Sequence, residues 1–344
     1  MSSYTFRRCQ LDDVDNLLNF IRLYWNQNHI FLKSKILFDF QHFNKLTSDY
    51  NFLIAIFNET NEIHGILGII PLFHYDPNLI KYNEAWGGIW KVREDVKNKE
   101  LPKIGSILFQ HFDIFRSHGS VGMSKVAQIL HKFKKYEVSN LNQYFFLNKQ
   151  IDNFNIATIP SNYLFPKVRA LKYKSSINKI NNLQNLQNEK LFTPYYPKKS
   201  INYLINRFLL HPLYKYSFLG IYNDLNKLQG IFVTRNINIY KSKVIRIVDF
   251  YGDLSNVQDL SYYFQILLEE EKAEYIDILN FGIDEQIFYN IGFEKLDQKS
   301  NIIIPNYFEP FVKQNIELNC AYRSNDEYVF FKADADQDRP NLFI

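Results

Sequence analysis

Residues 87–112 read GGIWKVREDVKNKELPKIGSILFQHF, and this stretch carries more of the fold than any other. An apolar, β-branched strand runs into a loop holding Lys97, Lys99 and Lys103, and an amphipathic helix begins at the Pro102–Gly105 turn. That order sets unpaired backbone N–H groups and the positive end of a helix dipole beside the lysines, which makes a site for a phosphate anion. One such terminus is worth only ~0.3–1 kcal/mol to a charge, so its meaning depends on the surrounding sequence.

Working outward, the first half alternates strands and helices. Tyr4–Arg8 is predicted as a strand and Asp12–Trp25 as a helix with an acidic first turn. Phe52–Phe57 and His64–Ile70 flank the polar NETNE as a hairpin. Ala85–Val92 is the next strand, followed by the Ile104–Phe115 helix, a short Gly119–Met123 run, a helix Lys125–Lys134 capped by Ser124, and a strand Glu137–Leu147. The second half repeats the order: a hairpin Tyr216–Tyr222/Gln229–Thr234, a strand Val244–Tyr251, a helix Asp259–Lys272, a strand Tyr275–Asn280, a helix Asp284–Asn290, then Phe293–Leu296 and Tyr328–Lys332. The polar, Asn-rich Lys174–Asn188 between them reads as linker or exposed excursion. The fold class expected is α/β (α+β): two tandem domains, 1–150 and 201–344, joined by 151–200, each a mixed, mainly antiparallel sheet flanked by helices.

Composition narrows the function. A chain of 344 residues with 31 Phe and 24 Tyr has material for two cores. Forty basic against 36 acidic residues give only +4, and the lysines are scattered, which argues against a nucleic-acid partner. Cys9 and Cys320 build neither a disulfide framework nor a zinc site, so a reduced, cytoplasmic setting is expected. No apolar run reaches the roughly 18 residues that cross a bilayer, and the N-terminal MSSYTFRRCQLDD has no signal-peptide core.

The order of elements resembles the GNAT fold of N-acyltransferases, in tandem. Phe288-Tyr289-Asn290-Ile291-Gly292-Phe293 is similar to the family's Tyr-x-x-x-Gly-Phe junction, and Ile129-Leu130-His131 through Lys135-Tyr136-Glu137-Val138 resembles it with lysine for glycine. WGGIWKV followed by LPKIGSIL resembles the fourth strand, pyrophosphate loop and third helix. The likeness excludes roughly residues 151–200 and 300–325. WKVR, HPLYKY and the terminal DQDRPN are similar, more narrowly, to double-domain acyltransferases of bacterial surface-polysaccharide clusters. The resemblance implies an acyl-CoA co-substrate, no metal, and direct attack of an amine on the thioester. The acceptor it implies is a small molecule, an amino group of a nucleotide-linked amino sugar; the assembly is left open between monomer and homodimer. Fem-type ligases using aminoacyl-tRNA, or a non-catalytic binding protein with a decayed cofactor loop, are the alternatives.

The family's loop pattern, Gln/Arg-x-x-Gly-x-Gly/Ala, meets Glu100-Leu101-Pro102-Lys103-Ile104-Gly105, which keeps only the last glycine. The second half's loop, Gly252–Asp259, is acidic, and a pyrophosphate beside Asp253 and Asp259 is unfavourable. The first half is therefore expected to bind CoA through Trp90, Lys91, Val92, Lys103, Ile104, Gly105 and Ser106. Glu84 is the first candidate base, with an exposed strand-end glutamate as the alternative, and His74 the second. His131 falls near the family's leaving-group tyrosine, and an imidazole titrates near neutrality. Trp86 and Trp90 are expected on one face of their strand. Trp86, His211 and Asp249 are candidate acceptor contacts, Asp249 because it interrupts the apolar VIRIVDFYG. Asp334, Asp336, Asp338 and Arg339 are expected in a solvated tail, folded back on lysine or arginine.

Overall fold

The computed structural model describes residues 3–96, 101–166 and 175–341, with Leu101 and Pro102 described in backbone only; Lys97 and Lys99 lie outside the described residues. The principal strands are β1 (Tyr4–Cys9), β2 (Asp49–Phe57), β3 (Glu62–Pro71), β4 (Glu84–Val92), β5 (Ser117–Val121), β6 (Glu137–Leu147), β7 (Ser175–Lys179), β8 (Ser217–Asn223), β9 (Leu228–Ile239), β10 (Ser242–Gly252), β11 (Tyr275–Phe281) and β12 (Leu318–Arg323). The principal helices are α1 (Val14–Tyr24), α2 (Lys35–His42), α3 (Leu101–Gln110), α4 (Lys125–Phe133), α5 (Ser261–Glu271) and α6 (Glu285–Asn290).

One continuous sheet runs β1-β2-β3-β4-β5-β12-β6-β11-β10-β9-β8-β7. Along it, only β4/β5 and β10/β11 are parallel. The two halves exchange strands at the centre. β12, from the end of the chain, pairs with β5 and β6, while β6, from the first half, pairs with β11 of the second. The halves therefore share a backbone hydrogen-bond ladder.

Helices cover both faces. In the first half, Leu17, Phe20 and Phe38 pack on Ile54, Ile66 and Ile89 of one face, while Ile104, Leu108 and Phe112 pack on Leu67, Ala85 and Trp90 of the other. In the second, Phe264, Leu268 and Phe288 cover Ile245, Ile247, Ile276 and Ile278. Between the halves, Trp86 meets Tyr203, Leu204, Phe208 and Phe330 in a shared core. At α4 the Ser124 hydroxyl accepts from the Ala127 N–H at 3.2 Å, an N-cap of ~1 kcal/mol.

Three sequence expectations are corrected. Part of the expected linker is ordered structure: β7 is an edge strand on β8, and Leu183 beyond it is buried. Trp86 and Trp90 face opposite sides, because β4 carries a bulge. Trp90 pairs with Leu67 and Gly87 with Ile69, so Gly88 and Ile89 oppose the single Gly68 and the side-chain alternation flips. The glycines permit it: a Cβ on Gly68 would sit 2.9 Å from the Phe52 ring. Finally, the acidic tail is not solvated. Asp334, Asp336 and Asp338 are buried, on Lys199, Arg339 and Arg235 respectively.

Candidate active site in the first-half wedge

β4 and β5 pair only over Glu84–Trp86 and Ser117–Gly119. Beyond that fork the bulged end of β4 leaves β5, and a wedge opens. Gly87, Gly88, Ile89 and Trp90 line one side, and Ser120, Val121 and Gly122 the other; Phe109, Phe112, Ala127 and His131 close it on the helix side. It holds about 780 Å³ of empty space, part of it continuous with solvent. A strand edge that leaves its neighbour presents amide and carbonyl groups to whatever extended chain enters.

Three buried polar atoms of the wedge lining have no hydrogen-bond partner: Nε1 of Trp90, Nε2 of His131 and Nε of Arg339. His131 Nδ1 lies 2.7 Å from the Ala127 carbonyl, which can only accept, so Nδ1 carries the proton and Nε2 bears a lone pair. Burial lowers the pKa of His131, which favours this neutral form. An imidazole so held accepts a proton before it can donate one.

Of the expected cofactor residues, Trp90 lines the wedge; Lys91 and Val92 follow it on β4, and Lys103, Ile104, Gly105 and Ser106 lie on α3. Trp90 stacks obliquely on Phe109, 4.8 Å between centroids. Gly105 brings α3 onto the strand: a Cβ there would lie 3.3 Å from Val92 and 3.7 Å from the Trp90 indole. Ile104 is buried in the core beneath and offers only backbone. Ser106 is half-buried on the same helix and Lys103 is exposed near its start. Lys91 pairs with Glu94 at 2.6 Å, and Arg93 with Glu62 and Asp95, so both cations at the end of β4 are matched by carboxylates.

Glu84 lies two residues before the fork and is 1% exposed, not the exposed strand end of the alternative reading. Its Oε2 accepts from the Lys198 N–H at 2.8 Å, and its Oε1 has no partner. Burial raises its pKa to about 8. His74 is spent elsewhere: Nε2–H donates to the Phe40 carbonyl at 2.9 Å and Nδ1 accepts from Asn51 at 3.3 Å, pinning α2 to the sheet. Neither nitrogen is left for a proton transfer.

The three candidate acceptor contacts do not line the wedge. Trp86 is fully buried among Tyr203, Arg207 and Lys199. His211 Nδ1 accepts from Leu213 and Tyr214 N–H groups, which fixes a turn. Asp249 is fully buried and bonded to Lys199, which also meets Asp334 at 3.2 Å. Sequence reasoning named only Trp90 and His131 of the wedge lining as site residues; among those it missed are Trp25, Gln337 and Arg339, with Ala335. The last three come from the tail, whose run of acidic residues signalled folding-back but not its destination.

The second half repeats the fork and closes it. β10 and β11 pair over Ile245–Ile247 and Ile276–Ile278, and β10 carries one extra residue, Val248, against β9. Into that wedge the chain inserts its own segment: Phe330 and Phe331 pair with Phe281 and Asn280, and the Ala333 N–H bonds the Val248 carbonyl at 2.9 Å.

A sheet forked at a bulged strand, twice, invites comparison with solved structures. The chain superimposes on a conserved protein of unknown function from Enterococcus faecalis V583, described as a probable N-acyltransferase, with TM-score 0.55, 9% identity, and coverage of 94% of this chain and 72% of that one. It also matches a GCN5-related N-acetyltransferase from Anabaena variabilis, with TM-score 0.51, 13% identity, and coverage of 93% and 72%. The fold is the GNAT fold. No family model and no curated protein matches the sequence. Within the GNAT fold of this chain, the first fork is open and the second is filled. Among the described residues there is no cluster of metal-ligating side chains, and no helix is long and apolar enough to cross a membrane.

Proposed function

We propose that this chain is an N-acyltransferase that takes its acyl group from acyl-CoA held in the first-half wedge. The observation that carries this reading is the open fork, lined by the unpartnered Trp90 Nε1 and His131 Nε2, set against a second fork that the chain fills itself. The diverging edge of β4 offers main-chain groups to the pantetheine amides, and the start of α3 offers N–H groups and a dipole to the pyrophosphate.

The acceptor amine attacks the thioester carbonyl; the C–N bond forms and the C–S bond breaks. The nitrogen must shed a proton, and the departing sulfur is best served by gaining one. Glu84, raised to about 8, is the base of this reading, poised near the pKa range in which amines titrate. His131, neutral at Nε2, relays a proton from the tetrahedral intermediate to the thiolate; its lowered pKa makes the imidazolium a ready donor once formed. The acceptor proposed is an amino group of a nucleotide-linked amino sugar, supported by the likeness of WKVR, HPLYKY and DQDRPN to polysaccharide-cluster enzymes.

Trp90 and Trp25 line the wedge, so acetyl-CoA should quench tryptophan fluorescence and raise the melting temperature, and Trp90→Phe should remove much of the quench while binding persists. The absence of both signals, with acetyl-CoA and with longer acyl-CoAs alike, would overturn the reading.

A further inference from the structure

Helix α4 has two apolar faces, and only one is used by the fold. Ala127 and His131 turn to the wedge. Val126, Ile129, Leu130 and Phe133 turn to solvent, Val126 at 68% and Phe133 at 82% exposure. Their spacing is the i, i+3, i+4, i+7 stripe that a globular helix normally points inward. At roughly 3.6 residues per turn, Lys125 and Lys132 fall along one edge of the stripe, and Lys134 falls on the other, just past the helix end. Lys135 follows it, and no acidic residue occurs between Val121 and Glu137.

We propose that α4 is a docking helix for an anionic lipid surface, lying in the headgroup layer with its apolar stripe against the acyl boundary. The charge pattern selects this occupant. Lysines on both edges of an exposed apolar stripe are the composition of interfacial helices, their stems lying along apolar surface while the ammonium groups reach lipid phosphates. A second copy is disfavoured by the same pattern, since a two-fold contact through this stripe would set lysine rows against lysine rows. Docking places the wedge, on the opposite face of the same helix, beside the bilayer. The inference rests on the exposed face of α4 and not on the transferase reading.

The test is co-sedimentation of the full chain with phosphatidylcholine vesicles, with and without phosphatidylglycerol. Binding is expected only with the anionic lipid, weakening as salt rises. The Ile129→Ser/Phe133→Ser double variant should bind about tenfold less tightly. Both side chains are exposed, so its melting curve should match the parent's, and Lys132→Glu/Lys134→Glu should lose binding by charge alone. A full chain that stays in the supernatant with anionic vesicles overturns the proposal, as does a serine variant that binds like the parent. A concentration-dependent dimer in sedimentation velocity, abolished by the serine pair, would give the stripe to a second copy and overturn it too.

Discussion

The two forks of this sheet are built alike and finished differently. Each has three parallel residue pairs, and in each the outgoing strand carries one extra residue just past them, Gly88–Ile89 in β4 and Val248 in β10. A bulge unpairs a strand edge and increases its twist, so both forks expose main-chain hydrogen-bonding groups. In the second, Phe330–Ala333 satisfies them as an added strand. The same tail then continues to the first fork, where Ala335, Gln337 and Arg339 become part of its wall. An open fork next to a filled one indicates that a bulged fork must be completed by something, either the chain itself or an extended ligand.

The largest effect should come from unfastening the filled fork. Asp334 is fully buried, accepts from the Phe331 N–H at 2.8 Å and meets Lys199 at 3.2 Å. Asp334→Ala leaves Lys199 with Asp249 alone and removes the bond that holds Phe331. Lys199 keeps a partner, so the loss is that of the hydrogen bonds to a buried carboxylate, about 1.5–3 kcal/mol each, to be read as a lower urea midpoint. Because the tail also walls the first fork, acyl-CoA affinity should fall with it. A variant as stable as the parent would show that the second fork needs no fastening.

The comparison also shows what the sequence could say. Hairpins such as FLIAIFNETNEIHGILGIIPL were legible because period-two apolar runs flank polar turns, and the order of elements in both halves follows from them. Strand exchange was not, because Glu137–Leu147 reads as a strand whichever neighbour it takes, and LNCAYR at 318–323 is too short and mixed to announce itself. The bulge inverted the side of Trp90, since pleat counting assumes an unbroken ladder. Trp90 and His131, both named from the GNAT likeness, line the wedge, whereas Gln337 and Arg339 arrive by a long-range docking that local pattern does not encode. Asp249 was legible as a residue needing partners; that its partner is Lys199, under an inserted strand, was not.

In the first half, the pH dependence of the rate separates Glu84, which lies outside the wedge lining, from His131, which is part of it. If Glu84 is the base, its carboxylate form is required, and kcat/KM should rise with pH through a value near 8. Glu84→Gln should then erase that limb and lower turnover by about 10²-fold with acyl-CoA affinity retained. If the amine proton goes first to His131, the limb should instead lie below the ordinary 6.5 of histidine, because burial lowers its pKa, and Glu84→Gln should leave it in place. His131→Phe preserves the ring packing on Phe109 and should slow transfer while leaving binding nearly intact. The raised pKa of Glu84 has a stability counterpart: its contribution is complete below the unfolded value of 4.5 and is lost as pH rises through about 8, so Glu84→Gln should melt higher than the parent at alkaline pH.

The smallest effect belongs to the mouth. Lys103 is exposed near the start of α3, where a positive helix end and a lysine both favour an anion. An exposed charge contributes about 0.3–1 kcal/mol there, so Lys103→Glu should weaken acetyl-CoA binding by only a few-fold, with the difference shrinking at high salt. Dephospho-CoA retains the pyrophosphate and should show the same loss, while pantetheine, which lacks it, should show none. A loss that persists with pantetheine would mean that the substitution disturbs α3 rather than the anion. Equal affinities for all three ligands in parent and variant would put the pyrophosphate away from this helix. The open fork would then still need completing, but by a ligand that enters from another direction.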